Sequence, residues 1–490
     1  MIEFKNVSFR YAEQKKYSIQ NINIKIKSGQ IVLVCGTSGS GKTTLTKLIN
    51  GLISNYYNGE LDGTVCINGV EVSRIPLYET AKYVGSVFQN PKTQFFTIDT
   101  TSELAFCLEN FGLPEKEIED RILKVSSELS IKNLMGRNIF NLSGGEKQKI
   151  ACSCVFVSGQ EIIVLDEPSS NLDISATLEL RKLIKLWKEQ GKTVVISEHR
   201  IYYLKGLMDR VIHLKDGNIY GEYTEEEFNK FIERDKWKAG LRPLDLNTFP
   251  SYVEKEVQSE SQFSISDMKY GYQKDGCVLK VGEIKLPQNR IIGIIGYNGA
   301  GKSTFADCLC GISKNDKSVI YYEGKSYYKK KKLKLCYLVM QDVNHQLFTE
   351  SVEDEMLLSM TPKDENKLYN ILKELNLYSL KSKHPMSLSG GEKQRVAIAS
   401  ALVANRDIII LDEPTSGLDL FHMRMVADEL KKIKSRGKSI FLITHDYEML
   451  LSACDYILHL ENGKVKDSYF LNEVGIEKIK KYFIREEVDY

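Results

Sequence analysis

The chain has 490 residues, 42% of them hydrophobic and 27% charged, with a formal net charge of +2; the length sets a prior of two to four domains, and the balance is that of an ordinary water-soluble protein. So small a net charge excludes a strong global field for nucleic acid. The opening MIEFKNVSF has neither the basic nor the apolar segment of a signal peptide, no stretch approaches the roughly 20 apolar residues that span a bilayer, and ten scattered cysteines fit a reduced, cytosolic setting.

Ile2–Phe9 and Ile19–Ile26 alternate apolar and polar positions, which predicts half-buried antiparallel strands, and Tyr11 ends the first of them. The run IVLVCG predicts a strand buried on both faces. It leads into GTSGSGKT (Gly36–Thr43), which fits the G-x-x-x-x-G-K-[ST] phosphate loop. Gly36, Gly39 and Gly41 let the backbone curl so that successive N–H groups face phosphate oxygens, and a helix beginning near Lys42 adds its positive end. Lys42 supplies a compact charge to the outer phosphates, the Thr43 hydroxyl can ligate Mg²⁺, and Thr44 follows as a further ATP-binding candidate. Gln89 lies at the end of another short apolar strand.

From Glu115 to Leu129, the residues Ile118, Ile122, Val125 and Leu129 recur at helical spacing. In LSGGEKQ (Leu142–Gln148) Ser143 is of N-cap type, and Gly144 and Gly145 allow backbone N–H groups to approach a phosphate closely. The motif is therefore an anion-binding helix start. IIVLDEP (Ile162–Pro168) predicts a buried strand ending in Asp166, placed to hold Mg²⁺ through water. Glu167 follows where a carboxylate can polarise water attacking a γ-phosphate. His199 comes after the apolar strand TVVIS. The close cysteine pairs Cys152/Cys154 and Cys308/Cys310 are each spaced by two in a predicted helix, which directs the side chains to different faces rather than to one metal.

Between about Tyr223 and Phe263 the motifs stop. Phe228, Phe231, Ile232 and Trp237 suggest one short helix, and Pro243, Pro250 and the polar run Glu254–Gln262 read as linker. The expected division is a first domain over 1–224, a linker over 225–262 and a second domain over 263–490. The second domain repeats the first. GYNGAGKS supplies Gly296, Gly299, Gly301, Lys302 and Ser303, followed by Thr304; LSGGEKQ recurs with Ser389, Gly390 and Gly391; IIILDEP gives Asp412 and Glu413; and His445 follows. Ser143 and Ser389, Asp166 and Asp412, and His199 and His445 share one offset of 246, which marks an internal repeat. Lys42 and Lys302 differ by 260, so an insertion of 14 residues is expected between the first phosphate loop and its LSGGEKQ. Lys329–Lys332 reads as a solvated face, with attraction to anionic lipid as the alternative. Val474–Tyr490 reads as a charged helix.

With phosphate loop, glutamine loop, signature, acidic strand and histidine in that order, both halves resemble the nucleotide-binding domain of ABC ATPases, over nearly the whole chain. The resemblance implies an α/β fold of two P-loop domains. Each would have a RecA-like mixed sheet, an antiparallel β subdomain and a helical subdomain carrying LSGGEKQ. It implies that Tyr11 and Tyr272 stack on adenine, although Tyr270 lies close to the second position and a surface tyrosine is the alternative at the first. It implies that Gln89 and Gln341 touch Mg²⁺ and the attacking water, that His199 and His445 sense the γ-phosphate, and that each LSGGEKQ serves the opposite half. One ATP site would then combine Lys42, Thr43, Gln89, Asp166, Glu167 and His199 with Ser389 and Gly391. The other would combine Lys302, Ser303, Gln341, Asp412, Glu413 and His445 with Ser143 and Gly145. In SSNLD (Ser169–Asp173) Asn171 replaces the family's usual glycine, which predicts asymmetry rather than a dead site.

QNPKTQFF with TTSELAFCLENFGLP, and MQDVNHQLFTESVEDEM at Met340–Met356, resemble more narrowly the ATPases of energy-coupling factor importers. This implies an ATP-hydrolysing subunit for uptake of a vitamin or related micronutrient, peripheral on the cytoplasmic face of the membrane. Its partners would be a transmembrane scaffold protein and a membrane substrate-binding subunit. A tandem sugar-importer ATPase is a second reading, although there the second phosphate loop commonly degenerates and GYNGAGKS is intact. A third is a soluble ABC ATPase acting on ribosomes or nucleic acid. Against it stand the near-neutral charge, the lack of zinc or iron–sulfur cysteine spacings and the short linker.

Overall fold

The computed structural model describes residues 1–12, 14–235, 240–250, 261–271, 278–314 and 316–484. β1 (Ile2–Tyr11) and β2 (Ile19–Ile26) pair antiparallel from Ile2 opposite Ile26 to Phe9 opposite Ile19. Their alternation buries Phe4, Phe9, Ile22 and Ile24 in one core, as a period of two requires. β3 (Ile31–Cys35) is buried at every position and delivers the chain to α1 (Lys42–Ile49) and the short α2 (Leu52–Asn55). β4 (Gly59–Ile67) returns to β1, β5 (Val70–Glu71) extends that sheet, and α3 (Leu77–Tyr83) leads to β6 (Val84–Val87). A helical layer follows: α4 (Thr100–Asn110), α5 (Glu115–Glu128) and α6 (Gly144–Ser158), packed around Leu104, Ile118, Ile122, Val125 and Ile150.

The chain then re-enters the main sheet through β7 (Ile162–Asp166), α7 (Ile174–Glu189) and β8 (Thr193–Ser197). It closes with the hairpin β9 (Arg210–Lys215) and β10 (Asn218–Tyr223), then α8 (Glu225–Asp235). The six strands run β10-β9-β3-β8-β7-β6, parallel except for the β9–β10 hairpin. Crossover helices cover such a sheet, which is why its strands read as unbroken apolar runs. Phe228, Phe231 and Ile232 of α8 join that core with Leu241 and Leu244. Trp237 and residues 251–260 lie outside the described residues.

The second half repeats the plan. β11 (Gln262–Ser266), β12 (Met268–Tyr270), β13 (Leu279–Val281) and β14 (Ile284–Pro287) precede the buried β15 (Ile291–Ile295) and α9 (Lys302–Cys310). β16 (Val319–Tyr322), β17 (Lys325–Tyr328) and β18 (Cys336–Val339) lead to the helical layer of α10 (Val352–Ser359), α11 (Glu365–Glu374) and α12 (Gly390–Val403). The rest is β19 (Ile408–Asp412), α13 (Leu420–Ser435), β20 (Ser439–Ile443), α14 (Tyr447–Ala453), β21 (Tyr456–Glu461), β22 (Lys464–Phe470) and α15 (Glu473–Phe483). Its main sheet runs β18-β19-β20-β15-β21-β22, the same order position for position. The described residues form two compact units, Met1–Thr248 with Gly417–Phe421, and Phe249–Ser416 with His422–Tyr490. Among them no helix is long and apolar enough to cross a membrane.

Three expectations change. The 14 extra residues are not one insertion: the first half adds α2, and its α4 and α5 have 11 and 14 residues where α10 and α11 have 8 and 10. Cys152 and Cys154 do face different cores, but Cys308 and Cys310 share one, because α9 is covered on more than one side. The lysine run is not uniformly solvated. A 3₁₀ turn over Lys329–Lys334 points Lys332 inward, fully buried, where its ammonium pairs with Asp316 and donates to Cys308 O at 2.9 Å and Ser318 Oγ at 2.5 Å.

Removing one member of a buried ion pair strands the other charge. Lys332→Ala should therefore lower the stability of the second unit by about 3–5 kcal/mol, whereas the exposed Lys330→Ala should stay within about 0.5 kcal/mol. Chemical unfolding of the full chain measures both.

Candidate functional site

Each phosphate loop emerges from the central strand of a parallel sheet, and its first glycine is sterically required. Gly36 has φ +151° and Gly296 φ +153°; a Cβ on either would come 2.3 Å from a neighbouring backbone oxygen, that of Leu214 or Leu460. The ammonium of Lys42 folds back over the loop, donating to Gly36 O and Thr37 O at 3.1 Å each. Lys302 does the same to Gly296 O at 2.8 Å and Tyr297 O at 3.1 Å. Burial pushes the Lys42 pKa down, and the nearby Glu167 carboxylate opposes that shift.

At the end of the strand two places away in each sheet, the hydroxyl of Thr43 donates to Asp166 Oδ1 at 3.3 Å and that of Ser303 to Asp412 Oδ2 at 2.8 Å. Burial raises the pKa of both aspartates. A hydroxyl and a carboxylate converging in a site that penalises uncompensated negative charge are the hard oxygen donors that suit Mg²⁺.

The next residue is unusual. Glu167 has φ +45° and Glu413 φ +49°, in the left-handed region that non-glycine residues enter at a cost of about 1–3 kcal/mol. Each is held there by its own N–H, bonded at 2.9 Å to Ser197 O or Ile443 O on the neighbouring strand. Glu167 Oε2 accepts from Gln89 Nε2 at 2.6 Å, and His199 Nε2 stands 3.4 Å from Oε1. In the second unit His445 Nε2 lies 3.5 Å from Glu413 Oε1 and the His445 N–H donates to Oε2 at 3.4 Å. Burial pushes the Glu167 carboxyl up, but His199, Lys42 and Gln89 together outweigh it and hold the pKa below the usual glutamate value. The group is thus an ionised acceptor at neutral pH, as a base acting on water must be. Gln341 is exposed in the loop after β18, Tyr11 ends β1, Tyr270 ends β12, and Tyr272 lies outside the described residues.

Two residues that the motifs did not reveal hold the first site in shape. The buried Ser197 hydroxyl donates to Asp166, and the buried Glu198 accepts from the N–H of Ser169 at 3.0 Å, the N–H of His199 at 2.8 Å and the hydroxyl of Tyr203 at 3.0 Å. Ile443 and Thr444 stand 246 positions on, so the repeat gave no signal for either.

The signature serines cap α6 and α12 through reciprocal boxes. Ser143 Oγ accepts from Glu146 N at 3.3 Å while Ser143 N donates to Glu146 Oε2 at 2.8 Å; Ser389 and Glu392 repeat this at 3.4 and 2.8 Å. Gly144, Gly145, Gly390 and Gly391 open the helices behind them. Burial raises the Glu146 carboxyl, but the Ser143 amide and hydroxyl and Arg137 outweigh it and lower its pKa; Ser389 and Arg395 do likewise for Glu392.

A folded pKa below the unfolded one contributes stability above the unfolded value, and that contribution is lost as pH falls through the folded value. Glu146→Ala should therefore speed amide exchange in the first turn of α6 at neutral pH. The difference from the parent should shrink once pH drops below about 4.5, the ordinary glutamate value.

A phosphate loop between buried strand and helix, an Asp–Glu pair at the end of a parallel strand of the same sheet and a histidine beside it define a P-loop ATPase, here present twice. Residues 19–170 and 279–416 match the ABC transporter family, and the chain belongs to it. A putative ABC transporter ATP-binding protein of Treponema denticola is 41% identical over 95% of this chain and 96% of its own length. One from Clostridium perfringens is 32% identical over 95% and 89%. The fold is also that of an archaeal ribosome recycling factor, aABCE1, solved in complex with ribosomal stalk protein aP1, with a TM-score of 0.68 at 22% identity, covering 98% of this chain and 92% of that one. As a family member the chain binds ATP with Mg²⁺ and hydrolyses it.

Proposed function

We propose that the chain powers a membrane importer of the energy-coupling factor type, taking up a vitamin or related micronutrient from a peripheral position on the cytoplasmic face. The observation that carries this reading is an exposed apolar side chain at matching places in both halves. Seven residues after each glutamine-loop glutamine stand Phe96, 77% exposed, and Phe348, 72% exposed. Three residues before each signature serine stand Phe140, 75% exposed, and Met386, 50% exposed. In the first unit Ile139 N donates to Ile98 O at 2.8 Å, which sets the Phe140 segment beside Ile98, also exposed. Apolar surface of this kind, next to the glutamine loop and doubled by the repeat, suits docking to apolar helices of a partner.

In this reading the two halves close head to tail on two ATP molecules, each phosphate loop completed by the other half's signature serine and second glycine. Mg²⁺, held by Thr43 and Asp166 or by Ser303 and Asp412 with Gln89 or Gln341, would neutralise phosphate charge. Glu167 and Glu413 accept the proton of the attacking water, and His199 and His445 orient them and respond to the γ-phosphate. A scaffold membrane protein and a substrate-binding membrane protein receive the motion.

Glu167→Gln combined with Glu413→Gln should lower the steady-state ATPase rate by about 100-fold or more; an unchanged rate would reject the assignment of these carboxylates. Mild-detergent purification of tagged chain from native membranes should recover a multi-helix scaffold and a small membrane protein. Phe96→Glu with Phe348→Glu should abolish that recovery. Recovery of ribosomal proteins in their place would favour the soluble reading and overturn the importer one.

A further inference from the structure

The base end of the first nucleotide site carries a feature that the described residues of the second half do not repeat. Tyr11 ends β1 with its hydroxyl 3.5 Å from Thr44 Oγ1, directly behind the phosphate loop. Its ring meets two others edge to face: Phe9 of the same strand, centroids 4.8 Å apart, and Tyr57, centroids 5.7 Å apart, both at 82°. Tyr57 lies in the loop between α2 and β4 and is itself fixed. The ammonium of Lys47, one helical turn past Thr43 on α1, donates to the Tyr57 hydroxyl at 2.8 Å and lies 4.2 Å from the centroid of its ring. A chain of contacts thus runs from the phosphate-loop helix through Lys47 and Tyr57 to Tyr11.

In the second half the residue five places after the phosphate-loop lysine is Asp307, where the first half has Lys47. The first half also has five more residues between that lysine and the turn glycine, Gly69 against Gly324, and that longer interval contains α2 and Tyr57. Among the described residues of the second half, neither the cation nor the aromatic loop is repeated.

We propose that Lys47 and Tyr57 form a positioning pair that fixes the ring of Tyr11 for stacking on the purine base, giving the first site a base affinity that the second half does not build in this way. The inference rests on the reading that Tyr11 stacks on adenine. An aromatic ring at a strand end ordinarily loses rotational freedom when a ligand stacks on it, and holding it beforehand removes that loss from binding. Edge-to-face packing and a cation over a ring are both geometries that resist reorientation. The pair touches the ring that meets the base and leaves the phosphates to the loop, so its effect should appear only for ligands that carry a base.

The test uses the full chain with Lys302→Ala, so that the first site dominates binding, and titration calorimetry with ATP and with inorganic tripolyphosphate. Lys47→Met and Tyr57→Leu should each weaken ATP binding by about threefold to tenfold and leave tripolyphosphate unchanged. Tyr57→Phe, which keeps the ring but loses the hydroxyl that Lys47 holds, should fall between them and the parent. If Tyr57→Leu fails to fold, Lys47→Met carries the comparison. Unchanged ATP affinity in these variants, with ATP affinity lost in Tyr11→Ala, overturns the proposal and leaves the stacking role of Tyr11 standing. No effect of Tyr11→Ala removes that role and the proposal together. Equal weakening of both ligands marks general damage to the loop and also overturns it.

Discussion

Because β3, β8 and β7 hydrogen-bond in parallel, with Val34 opposite Ser197 and Ser197 opposite Asp166, their carboxyl ends emerge along one edge of the sheet. The phosphate loop, the acidic pair and the histidine each follow one of these strands within a few residues. The strand register therefore sets the distances between Lys42, Asp166, Glu167 and His199. The second unit uses the same pairing, with Ile294 and Asp412 both opposite Ile443. A slip of one residue in β7 would turn Asp166 to the other face of the sheet, and no side-chain adjustment would recover the site. The buried apolar runs that hold these strands together are in this sense part of the chemistry.

Within that shared frame the two sites are built differently. Asp166 is held by hydroxyls from two directions, Thr43 and Ser197, and a buried glutamate organises the turn carrying His199. In the second unit the equivalent strand ends at Ile443, and Thr444 follows it. There the turn after His445 is held by Asp446, which accepts from Met449 N at 3.1 Å and caps α14. The two units therefore differ at this strand end as well as in sequence at Asn171.

What could be read from the residues alone was whatever local chemistry forces. Glycine at Gly36 and Gly296, lysine at the head of a helix, and serine three residues before glutamate at a helix start each have a local physical reading, and their order along the chain carried the family resemblance that implied the layered fold. Features that depend on distant segments were hidden. Lys332 looks solvated in a run of lysines, and only the fold brings Asp316 and Ser318 against it. Ser197 is an unremarkable polar residue at the end of an apolar strand until parallel pairing sets it beside Asp166. Tyr57 carries no motif. Its contact with Tyr11 arises because β4 returns to β1 and pairs Tyr11 with Gly59. The internal repeat was the strongest guide to function, and it failed wherever the two halves had diverged.

The backbone at Glu167 and Glu413 has a consequence for how the chain can change over time. Glycine would occupy those left-handed positions without steric penalty, so each glutamate gives up about 1–3 kcal/mol that a glycine would restore. Selection for stability alone would drift these two positions toward glycine, the residue that cannot accept a proton. On the proposed role of these glutamates, a relative in which one half has made that exchange would be a sturdier protein with one silent site, and the position of the exchange would tell which half had been released from hydrolysis.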